Sequence, residues 1–123
     1  MRNLFAHVVI AGVAAVATLV PIGTAATTRE NRAAATTVQV TGGEFWFKPS
    51  TKTLPKPGRV TFAFKNVGHI PHDFKILGKS TPVISPGKTS SITVTFGKPG
   101  SYPYTCTVAG HAAGGMKGVF TVR

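Results

Sequence analysis

"YTCTVAGHAAGGM", Tyr104 to Met116, contains the only cysteine of the chain. His111 follows Cys106 by five positions, and Met116 follows His111 by five. Everything between them is Ala, Gly, Val or Thr. The stretch before it, "SYPYTC", and the stretch after it, "KGVFTV", both read as short strands, rich in aromatic and β-branched residues. The spacing therefore predicts a strand–loop–strand turn with Cys106 and Met116 at its two rims and His111 in its middle. One cation can touch all three. A further imidazole is available upstream in "NVGHIPHDF", Asn66 to Phe74, at His69 or His72.

Taken singly, each residue has an ordinary structural use. A lone cysteine is most often a small buried hydrophobe, a histidine in a turn can cap it, and a methionine can fill a core. Together, in a Gly-rich loop between strands, they point to metal. A thiolate, two imidazoles and a weak thioether suit copper. The thiolate favours the cuprous ion, the imidazoles suit the cupric ion, and the set satisfies neither state fully. Zinc prefers four strong ligands in a tetrahedron, and methionine is a poor fourth. A nucleophilic Cys–His pair is the other chemical reading, but no orienting residue lies near it and no second domain exists to form a pocket. Between the two upstream histidines, His72 is the better donor: Pro71 fixes the backbone before it, and Phe74 and Ile76 continue it as a strand.

The rest of the chain reads as β structure. Val60, Phe62 and Phe64 alternate with Thr61, Ala63 and Lys65, and Ile92, Val94 and Phe96 alternate with Thr93 and Thr95. Period two means strands with one buried face. Further strands are expected over Thr37–Thr41, Glu44–Lys48, His72–Leu77, Ser101–Cys106 and Gly118–Arg123. "KPGR" at Lys56, "SPGK" at Ser85 and "KPGS" at Lys98 are Pro-Gly turns that punctuate them. About seven short strands predict an all-β antiparallel sandwich or barrel that buries Phe62, Phe64, Ile92, Val94, Phe96 and Trp46.

The chain has 123 residues and a net charge of +11, with Glu30, Glu44 and Asp73 its only acids. The first segment stands apart. Arg2 precedes an almost wholly apolar run from Leu4 to Val20, which Pro21 and Gly23 end. Residues 1–26 read as a secretory signal cleaved near Ala25 or Ala26 or, uncleaved, as a membrane anchor. Residues 27–35, "TTRENRAAA", read as a flexible spacer that reaches about 30 Å when extended. Residues 36–123 form the folded domain. An extracytoplasmic location follows, periplasmic, secreted or tethered. In an oxidising compartment a single cysteine has no internal disulfide partner, which leaves burial, a second chain or a metal to occupy it. The lysines and arginines are scattered, with no run of three, which speaks against a nucleic-acid binder. They spread a positive field suited to an acidic partner or an anionic surface.

"NVGHIPHDF" with "YPYTCTVAGHAAGGMKGVFTV" resembles the cupredoxins, the small blue-copper proteins, and "EFWFKPSTKTLPKPGRVTFAFKNVG" resembles their approach to the first ligand histidine. The resemblance implies a Greek-key β-sandwich of eight strands holding one type 1 copper. His72, Cys106 and His111 would be its equatorial ligands and Met116 its axial one. Asn66 matches a position kept for turn geometry. Many members carry Asn directly after the first ligand; here it is Asp73, which accepts hydrogen bonds and donates none, and Thr107 offers the hydroxyl it needs. The expected function is one-electron transfer to and from protein partners with acidic docking surfaces, His111 being the point of exchange, and no substrate chemistry. A copper-binding or copper-delivery protein is the alternative.

Overall fold

The computed structural model describes residues 34–123 together with Gly12, Ala14 and Ala15. Apart from those three, the expected signal or anchor over residues 1–26 and the spacer residues 27–33 lie outside the described residues. Among the described residues no helix is long and apolar enough to cross a membrane.

Among the described residues nine strand segments follow one another: β1 (Thr36–Gly43), β2 (Trp46–Pro49), β3 (Thr53–Leu54), β4 (Gly58–Asn66), β5 (Lys75–Ile76), β6 (Lys79–Ser80), β7 (Thr89–Phe96), β8 (Gly100–Thr105) and β9 (Lys117–Val122). They make an all-β sandwich of two sheets, ordered β2-β1-β4-β7 and β3-β9-β8-β5-β6. Most neighbours are antiparallel, as expected. Two pairs run parallel instead, β1 with β4 and β3 with β9. Both arise because the chain changes sheets between partners: β3 leaves the first sheet to flank β9, and β4 returns alongside β1.

The alternation seen in the sequence selects the inner faces. Val38 lies opposite Phe62 and Val40 opposite Phe64 across β1–β4, and Val60 lies opposite Val94 across β4–β7. These side chains are buried. On the outer face of the same register, Thr61 and Thr93 share a hydroxyl hydrogen bond of 2.8 Å. Rings fill the space between the sheets. Phe62 packs on Phe74, Phe96 and Phe120, and Phe47 packs edge-on against Phe64, Phe74 and Tyr104. Gly42 makes room for this: a Cβ there would come within 2.9 Å of both the Phe47 and Phe64 rings. Trp46, expected inside, is largely exposed, and Ile92 is only partly buried. Trp46 opens β2 at the sheet edge, where Phe47 takes the inward direction.

The strand expected over His72–Leu77 is shorter than its sequence pattern. Only Lys75–Ile76 pairs continuously, while His72 makes one bridge to Ile84, donating its N–H to the Ile84 carbonyl at 3.2 Å and accepting from Ile84 N–H at 2.8 Å. Phe74 turns away from the ladder to Thr81: its N–H donates to Thr81 Oγ1 at 3.1 Å, and its carbonyl accepts from Thr81 N–H at 2.9 Å. The segment is thus held by the 81–84 strip and by the Phe74 ring driven into the core. Phe74→Ala should destabilise the domain by about 3–5 kcal/mol, the cost of an aromatic cavity. Chemical denaturation, read as a lower midpoint at unchanged slope, checks it.

Candidate metal centre

His72 sits on the segment just described, Cys106 directly after β8, His111 in the following loop and Met116 directly before β9. The 107–116 loop is wound tightly. His111 N–H donates to the Val108 carbonyl, Gly114 N–H to the carbonyls of Gly110 and His111, and Gly115 N–H to that of Ala112. Two bonds then knit the ligands' own backbones: Cys106 N–H donates to the Met116 carbonyl and Met116 N–H to the His111 carbonyl, both at 3.1 Å. Gly110 and Gly115 have φ of 81° and 115°, a left-handed conformation that glycine adopts without a Cβ penalty. That is why a loop otherwise made of small residues can fold back so closely.

Three donor atoms converge. His72 Nδ1 and His111 Nδ1 are 3.0 Å apart, Cys106 Sγ is 3.6 Å from His111 Nδ1, and it is 4.0 Å from His72 Nδ1. The point equidistant from the three lies about 2.1 Å from each, which is the length of a metal–imidazole bond and slightly under a metal–thiolate bond. The triangle therefore fits a single ion with no rearrangement. All three residues are buried, and Met116 is wholly so, its backbone bonded to both Cys106 and His111. His69 is not part of the cluster; its side chain is 95% exposed.

The surrounding residues hold this triangle shut. Asn66 is fully buried and all its groups are used. Its side-chain amide donates to the carbonyls of Ile70 and Ile84, each at 2.9 Å, and its Oδ1 accepts from Gly68 N–H at 2.9 Å. It thereby shapes the 66–72 turn and ties it to the strip that pairs with His72. Asp73 joins the two ligand segments: it accepts from Thr107 N–H at 2.6 Å, from the Thr107 hydroxyl, and from the Ser80 hydroxyl at 3.3 Å. Since Asp73 follows His72 and Thr107 follows Cys106, this bond pair sits one residue from two ligands at once.

One contributor is missing from the sequence reading. Glu44, in the β1–β2 turn, places Oε1 3.0 Å from His72 Nε2, on the side of the ring away from the other donors. The hydrogen bond from His72, then that from His69 N–H, holds the Glu44 carboxyl down to about 2, so it is ionised at any physiological pH. The signal for it was faint but present: one acid inside the otherwise apolar run "GGEFWF". Phe45 next to it lays its ring edge-on against His111, centroids 5.0 Å apart.

A small β-sandwich with a buried Cys–His–His–Met set at one end is the class defined by fold and site. The cupredoxin-like domain family matches residues 12–122, and the chain belongs to it. No curated protein is a significant match to the sequence. Among solved structures, the chain is similar to dithionite-reduced auracyanin from the photosynthetic bacterium Roseiflexus castenholzii, with 28% identity and a TM-score of 0.63 over 74% of this chain and 99% of that one. Auracyanin A from Chloroflexus aurantiacus, a blue copper protein, shares the fold at 21% identity and a TM-score of 0.59, over 73% of this chain and 100% of that one. The copper-containing nitrite reductase of Thermus scotoductus shares it at 18% and 0.53, over 72% of this chain but only 27% of that enzyme. His72, Cys106, His111 and Met116 are arranged as a type 1 copper site.

Burial raises the Cys106 thiol above its ordinary range, with backbone hydrogen bonds from Asp73 and Val108 acting in the opposite direction. The metal-free sulfur is therefore a protonated thiol at neutral pH, and a metal must displace that proton to bind. Titrating cupric ion into the weakly buffered metal-free protein at pH 7 should release about one proton per ion from Cys106, and the Cys106→Ser variant should lack that release. An indicator dye reads it directly.

Proposed function

We propose that the protein is a one-electron carrier that works outside the cytoplasm. Copper held by the four side chains supplies a one-electron couple between its cuprous and cupric states. The observation that carries the reading is the donor triangle, already at bonding dimensions and braced by Asn66 and the Asp73–Thr107 pair. A site so constrained offers both oxidation states the same compromise geometry, so little atomic motion accompanies electron gain or loss. Delivery of copper to another protein favours open, exchangeable ligands, whereas these are buried and cross-bonded. The likeness to a reduced auracyanin supports the same reading. Copper enzymes such as the nitrite reductase also use the fold. Among the described residues of this chain, however, His72, Cys106 and His111 form the one group of metal-ligating side chains.

His111 is the point of exchange. Its Nε2 has no hydrogen-bond partner among the described residues, whereas the corresponding atom of His72 is engaged behind the site. Its neighbours Ala112, Ala113 and Gly114 are small, so a partner surface can approach the ring. The chain as a whole is strongly positive, with a net charge of +11. In residues 34–123 both acids serve the site, and every other charged side chain is Lys or Arg. That asymmetry steers the protein toward partners with an acidic docking surface. Residues 1–26 would carry the chain out of the cytoplasm as a cleaved signal, or hold it at the membrane as an anchor.

Two measurements test this. The copper(II) protein should show an intense visible thiolate-to-copper absorption that bleaches and returns with one electron per copper. Cys106→Ser should abolish it, and His69→Ala should leave it unchanged; a colourless wild-type protein would end the carrier reading. Separately, the rate of electron exchange with an anionic redox partner should fall as salt rises from low to physiological ionic strength, because a Debye length of about 8 Å screens the lysine field. A rate indifferent to salt removes the acidic-partner assignment and leaves the copper site standing.

A further inference from the structure

We propose that Glu44 is the positioning residue for His72, fixing both the orientation of its ring and the nitrogen that faces the metal. The inference rests on the copper-site reading above. Glu44 Oε1 already accepts from the backbone N–H groups of His69 and Ile70, so the oxygen that faces His72 is an acceptor and not a donor. At 3.0 Å from Glu44 Oε1, His72 Nε2 must therefore carry the proton. In a neutral ring the lone pair then belongs to Nδ1, the atom turned toward Cys106 Sγ and His111 Nδ1. Glu44 thus selects the one tautomer that can bind metal in this pose. In the metal-free protein the same logic gives the hydrogen shared between the two Nδ1 atoms to His111.

The carboxylate does not reach His72 by accident of a long side chain; its seat is built. The backbone N–H groups of His69 and Ile70 donate to the same Oε1 at 2.7 and 3.0 Å. Gly68 leaves the space: a Cβ there would lie 2.9 Å from the Glu44 carboxyl carbon and closer still to one of its oxygens. The segment that presents His72 also forms the cradle for the group that orients it, so ring and carboxylate move as one body. His72 is wholly buried, and turning its ring would strand Nε2 without a partner. A negative charge behind the ring also raises its basicity toward the metal.

The test uses the full-length protein and the Glu44→Ala, Glu44→Gln and Gly68→Ala variants. Competition with a chelator should show cupric affinity falling about 10–100-fold in Glu44→Ala, the range for loss of an orienting partner behind a ligand. Glu44→Gln should recover much of it, since the amide oxygen still accepts from Nε2. Gly68→Ala should reproduce part of the loss by displacing the carboxylate while every charge is kept. Nitrogen-15 spectra of copper-free wild type should show His72 protonated at Nε2 and bare at Nδ1, and Glu44→Ala should show a mixture. That readout does not move for a merely structural role. A wild-type His72 bare at Nε2 overturns the proposal without any variant. So does a Glu44→Ala protein with wild-type affinity and the same tautomer. Wild type that takes no copper sinks the site and this inference together; blue wild type with an unaffected Ala variant sinks this inference alone.

Discussion

The structure depends on one close approach. His72 and Cys106 come from different loops, 34 residues apart, and their donor atoms stand 4.0 Å from one another with His111 Nδ1 between 3.0 and 3.6 Å from both. No short stretch of chain can bring those atoms together. Two sheets packed through a stack of phenylalanine rings do it, with Phe74 anchoring the His72 segment from below and the β8–β9 pair delivering Cys106 and Met116 side by side. Hydrogen bonds then close the remaining freedom. Bonds to a charged acceptor are worth about 1.5–3 kcal/mol each, and Asp73 spends three of them next to the ligands.

The scarcity of acid gives this economy its meaning. Of the two carboxylates in residues 34–123, Asp73 locks one ligand segment to the other and Glu44 stands behind a ligand ring. Neither is spent on the surface. Among the described residues no Lys or Arg is engaged in an ion pair; the pairs found there join Glu44 to histidines. The strongly basic exterior and the doubly braced interior are therefore two sides of one distribution of charge. A buried or half-buried carboxylate is stable only with donors around it, and here the backbone N–H groups of Thr107, His69 and Ile70 supply them.

Much of this was legible in the chain itself. Period-two alternation in β4 and β7 identified the core faces because a strand buries every second side chain whatever its neighbours are. The cysteine, histidine and methionine of the 104–116 stretch were legible because three ligands on one short loop are close in space by chain connectivity alone. Trp46 lies outside the core because two adjacent aromatics on an edge strand cannot both point inward, and alternation does not say that Phe47 is the one that does. The strand after His72 is shorter than its sequence pattern because Phe74 bonds to Thr81 rather than to the ladder, which the pattern does not state.

The amino-acid sequence by itself determined the β class, the ligand types and hence copper as the ion they suit, since those follow from local periodicity and side-chain chemistry. Only the tertiary structure decided the parallel course of β1 beside β4, the distances of the donor triangle and the recruitment of Glu44 to the back of His72. Those are relations between residues tens of positions apart. They are set by how two sheets pack and where a turn without a Cβ at Gly68 leaves room, and nothing in the order of residues along the chain states them.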